Sequence, residues 1–122
     1  MALPHAQLLD VIDVSPMGDR LPEAMSTSLI KTSRVQLLHL VLHSHQDLPM
    51  HHVADECTVH CLEGVVELVY PGGVRQLGPH QIVVLPAQQV HGLRAREQRA
   101  AALVTLLLHE ADAAGKGSDT PA

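Results

Sequence analysis

The sequence predicts an all-β protein, a sandwich or closed barrel of about eight or nine short antiparallel strands. Three observations carry this expectation. Strand-length runs of alternating or uniformly aliphatic residues recur from Ser28 to Leu108. Glycine and proline pairs punctuate them at regular intervals. No segment shows the sustained period of an amphipathic helix.

Along the chain, residues 1–26 mix Leu8, Leu9, Val11 and Ile12 with Pro4, Pro16, Gly18 and Pro22, a pattern of turns and short extended pieces. We read 1–27 as an N-terminal arm. Strands are expected at Ser28 to Thr32 and at Arg34 to His43, where Leu38, Leu40 and Leu42 alternate with His39, Val41 and His43, so that one face is pure leucine. Asp47-Leu48-Pro49 reads as a break, because proline removes a ladder donor. Cys57 to Leu62 resumes the pattern, Gly64 bends it, and Val65 to Tyr70 continues it. Pro71-Gly72-Gly73 then reads as a hairpin connection into Val74 to Leu77, which implies antiparallel pairing. Gly78-Pro79 turns the chain again. Ile82 to Leu85 ends at Pro86, and Val90 to Ala95 and Ala101 to Leu108 follow. The barrel is expected to span 28–109. Residues 110–122 have little to bury and read as a flexible tail.

The 122 residues fit one domain, which buries roughly two-thirds of its unfolded surface. With one Tyr and no Phe or Trp, its core must be aliphatic. A formal net charge of -5 with only eight Lys and Arg argues against nucleic acid or an anionic membrane as partner, since both need clustered cations. No Lys or Arg precedes Arg20, and no apolar run approaches the about 20 residues that cross a bilayer. A cytoplasmic location is therefore expected. Cys57 and Cys61, four apart in an extended strand, would sit about 13 Å from each other and are expected to be free thiols. Ten histidines are the compositional outlier.

Several of these residues fall into a pattern. His51 opens it and Leu62-Glu63-Gly64 closes its first part; Leu85-Pro86 and His91 form the second, and the 71–73 hairpin lies between. This stretch, Leu42 to Leu108, resembles the two motifs of the cupin superfamily, in particular its small RmlC-like members. The resemblance implies a cupin-type double-stranded β-helix, a jelly-roll barrel, and a homodimer, to which the sheet surface of the first two strands would also contribute. It further implies a divalent metal (Fe, Mn, Ni, Zn or Cu), which such proteins generally hold with three histidines and a glutamate. Counted back from Gly64, the second histidine position falls on Val53 and the acid position on Cys57. His45, His80 and Gln88 stand where the motifs have glycine, and Ala95 where they have asparagine.

Two registers compete for the strand after His51. If 57, 59 and 61 face inward, as their hydrophobicity favours, Cys57 is the third candidate metal ligand beside His51 and His91. If the strand slips by one residue, Glu56, Thr58 and His60 turn inward, and His51, His91 and Glu56 form a face of two histidines and one carboxylate. A helix over His51 to Cys61 is a rival that β-branched Thr58-Val59 opposes. His52 cannot share the inward face with His51, His60 is assigned to the outer face, and His39 and His43 are left open between cavity and solvent. The expected function is a small barrel binding a divalent metal ion, a small organic ligand or both. The alternative is a metal-dependent enzyme, such as a dioxygenase or isomerase, using His51, His91 and Glu56.

Overall fold

The computed structural model describes residues 5–108. The tail expected over 110–122 lies outside the described residues, as does His109. Nine strands are present among the described residues. The chain enters β1 (Thr27–Lys31), turns where the Thr32 hydroxyl accepts the Arg34 and Val35 N–H groups, and returns as β2 (Val35–Leu42). Then come β3 (Asp47–His51), β4 (Cys57–Glu63), β5 (Val66–Tyr70), β6 (Gly73–Leu77), β7 (Ile82–Leu85), β8 (His91–Arg94) and β9 (Ala100–Leu107). They form two antiparallel sheets, one ordered β1-β2-β9-β4-β7 and the other β3-β8-β5-β6. His51 to Cys61 is thus not a helix. Tyr70 pairs with Gly73, so Pro71-Gly72 is the hairpin turn.

The reading of Asp47-Leu48-Pro49 as a break is corrected. These residues lie in β3, an edge strand paired only with β8. Proline is tolerated there because an edge strand has one side with no ladder to serve.

The leucine face of β2 packs into the space between the sheets. Leu38 and Leu42 join Val59, Cys61, Val66, Leu68, Leu93 and Leu106 in the main core, with Leu40 against it. The opposite face of the five-stranded sheet carries a second cluster, Val41, Leu62 and Ala101, covered by Leu21 and by Val14, Met17 and Ala24 of the arm. A bulge between Cys61 and Glu63 re-aims the strand end there. The Glu63 carboxylate accepts the N–H groups of Met17 (2.8 Å) and Gly18 (3.2 Å), which open the short 3-10 turn at Gly18–Glu23. On the four-stranded sheet, the buried Glu67 carboxylate pairs with Arg94 (2.6 Å) and Arg96 (3.4 Å).

His45, His80 and Gln88 have φ of 57°, 74° and 63°. These are the three positions at which the resemblance would place glycine. The backbone is left-handed at all three, and each side chain bears the steric cost of that conformation. His80→Gly and Gln88→Gly should each raise stability by about 0.5–1 kcal/mol, the relief of that strain less the entropy a glycine loses on folding. The His80 and Gln88 backbone N–H bonds, to Cys61 and Val53 oxygens, are unaffected by either change. Urea unfolding of both variants measures the gain; a loss in both would contradict it.

Candidate functional site

Between the sheets lies a cavity of about 460 Å³. Its wall is aliphatic, with Leu38, Leu40, Leu48, Val53, Val59, Val104 and Leu106 contributed from both sheets. His51, from the end of β3, and His91, from the start of β8, bring imidazoles to it. The two residues are ladder partners, and their ring centroids stand 4.6 Å apart with a 51° tilt. Thus the pair separated by forty positions in the chain is adjacent in the sheet.

Each ring is held by its own strand. His51 Nδ1 lies 3.1 Å from the Pro49 carbonyl oxygen and His91 Nδ1 lies 2.8 Å from that of Gln89. A carbonyl only accepts, so both Nδ1 atoms carry the proton and both Nε2 atoms are bare acceptors in the neutral ring. Neither Nε2 has a hydrogen-bond partner among the described residues.

Cys57 also lines the cavity, and burial pushes its thiol pKa up, so it stays protonated at neutral pH. Cys61 is a second buried free thiol. The register is the one with 57, 59 and 61 inward: Cys57, Val59 and Cys61 are buried in the main core. Glu56 is exposed, precedes β4 and does not line the cavity. The inward slip that would have made it a ligand does not occur, because it would have turned three buried apolar side chains out to water. His52 is exposed and His60 faces outward beside Ile82 and Leu103. His43 is exposed and bonded to Arg99. His39, open from sequence between cavity and solvent, is buried on the outer face of β2, away from the cavity.

Burial pushes the pKa values of His39 and His91 down. For His39 the Glu63 carboxylate partly opposes the shift; for His91 the Gln89 carbonyl opposes it and His51 adds to it. Their stabilising contribution is complete above the unfolded pKa of about 6.5 and is lost as pH falls from there through the lower folded values, because the unfolded chain takes the protons first. The thermal midpoint should therefore fall between pH 7.5 and 5.5, and fall less in His39→Gln. A midpoint that rises over that interval would contradict this assignment.

The same arrangement of two sheets occurs in solved structures. A cupin superfamily protein from Desulfitobacterium hafniense superposes with a TM-score of 0.69 at 16% identity, over 84% of this chain and 99% of its own. The fold is that of the cupins. An RmlC-like cupin from Desulfovibrio desulfuricans gives 0.62 at 21% identity, over 86% of this chain and 96% of that one. The polyketide cyclase RemF from Streptomyces resistomycificus gives 0.62 at 25% identity, over 67% of this chain and 63% of that one. No family model and no curated protein matches the sequence. Among the described residues no helix is long and apolar enough to cross a membrane.

The cupin fold implies a metal, and the donor set tests it. The four positions that the motif count assigns to ligands, His51, Val53, Cys57 and His91, all line the one cavity. Only two of them are imidazoles; one is a hydrocarbon and one a thiol held protonated by burial. No group of three His, Cys, Asp or Glu side chains able to hold a metal ion is present among the described residues. Catalytic metal sites take three protein ligands, so these residues do not fit the implied centre.

Proposed function

We propose that this cupin barrel binds a small, mostly apolar organic molecule in the cavity between its sheets, with the polar end of the molecule against His51 and His91. The observation that carries this reading is the make-up of the cavity: the four positions that the motif count assigns to ligands meet there, and two of them are Val53 and the protonated thiol of Cys57. The volume lies within the range of small-molecule sites, whose walls are mainly apolar with a few placed polar groups. The metal-dependent enzyme built on His51, His91 and Glu56 is disfavoured, because its carboxylate points away.

Naphthalene, an apolar probe without donors, tests the reading. In methyl-resolved carbon–proton spectra its addition should move Leu40, Val53, Val59 and Val104 and leave Val74 and Val84, exposed on the outside, in place. Movement confined to the outer methyls would overturn the proposal.

A second copy of this chain is the partner we propose. The outer face of the five-stranded sheet exposes Ile82, Val84 and Leu107, and its neighbours there, Thr58, His60, Leu103, Thr105, Val35 and Leu37, include no Asp, Glu, Lys or Arg. Depletion of charge at the centre is the compositional mark of an interface. Sedimentation at micromolar concentration should show a dimer; a monomer would contradict it.

A further inference from the structure

We infer that the cavity selects molecules presenting two adjacent hydrogen-bond donors on an apolar body, the simplest being an aromatic vicinal diol. This rests on the ligand-binding reading above and deepens it. Both imidazoles donate through Nδ1, to Pro49 and Gln89, so neither ring has an N–H left to offer the other across the 4.6 Å between their centroids. Two bare Nε2 acceptors in neighbouring ladder positions need two protons from a third party. A single hydroxyl has one to give and leaves the second acceptor unsatisfied in an apolar enclosure, which is costly.

The rest of the lining sets the charge of the occupant. It contains no Lys or Arg to hold an anion, and no Asp or Glu to hold a cation. The Gln46 side-chain oxygen is already engaged by the His43 N–H at 2.9 Å. Burial keeps His91 neutral, so it is an acceptor and not an imidazolium. A neutral molecule whose two donors are close together meets both nitrogens, while Leu40, Val59 and Val104 take its hydrocarbon part.

Four probes on one skeleton decide the matter, titrated in the presence of a chelator: 2,3-dihydroxynaphthalene, 2-naphthol, 2-methoxynaphthalene and 2-naphthoate. Affinity should fall about tenfold from the diol to the naphthol and again to the ether, since each step leaves one acceptor unpaired. In His51→Phe and His91→Leu, tested separately, one acceptor is gone, and the diol should lose its advantage over the naphthol. Two variants guard against misfolding of either. Equal affinity of ether and diol, or tightest binding by the naphthoate, would overturn the inference while leaving the ligand-binding reading standing. Failure of all four to bind would overturn both.

Discussion

Replacing Gly64 by alanine is expected to lower stability by roughly 2–5 kcal/mol. Gly64 sits at the end of β4 with φ of 74°, a conformation that costs a residue with a Cβ about 1–2 kcal/mol. Space is lacking as well. An added Cβ would collide with the Arg99 carbonyl oxygen and stand 2.9 Å from the Ala100 Cα, so the obstruction is backbone and cannot rotate away. Forcing a methyl group into such a site costs about 1–3 kcal/mol more. The strained pair also joins the start of β9 to the bulge that carries Glu63, so the arm's anchor moves with it. Urea unfolding gives the number; a loss below about 1 kcal/mol would mean that strand and bulge yield freely.

The second large effect is on binding. Gly92 lies in β8, one residue after His91, and a Cβ there would stand 2.8 Å from the Leu48 carbonyl oxygen of β3. Gly92→Ala must therefore push β3 outward. That strand carries both His51 and the Pro49 carbonyl that fixes its ring, so the two Nε2 atoms lose their common geometry. We expect the fold to survive at a cost of about 1–3 kcal/mol and affinity for the dihydroxynaphthalene probe to fall at least tenfold. Gly78→Ala is the control, because its Cβ would meet nothing nearer than the Gln81 side-chain oxygen at 3.6 Å. Equal affinity in both variants would show that the spacing of β3 and β8 does not govern the site.

Most of the barrel could be read from the sequence, because its information is local. The alternation of Leu38, Leu40 and Leu42 is the inner face of β2, and the apolar set Cys57, Val59 and Cys61 settled the register of β4. Pro49 hid β3, since sequence does not say which strand will lie at an edge. The departures from the motif glycines are informative only beside the backbone: His45, His80 and Gln88 have positive φ without the residue type that announces it. At the site, motif spacing singled out His51 and His91, but the carbonyls that fix their tautomers depend on local backbone direction, which residue types do not reveal. The same is true of Glu63, whose partners Met17 and Gly18 lie more than forty positions away. Nothing in an isolated glutamate distinguishes an anchor for the arm from a solvated surface charge.

Binding of a vicinal diol requires that His51 and His91 present two bare Nε2 atoms to one cavity. Long-range nitrogen–proton correlation spectra of the histidine side chains, assigned with the single variants and recorded at pH 7.5, test it most directly. In the free protein a proton is expected on Nδ1 of each ring and none on Nε2, and both Nε2 signals should shift together as 2,3-dihydroxynaphthalene is added. A proton on Nε2 of either ring in the free protein, or a response from one ring alone, would contradict it.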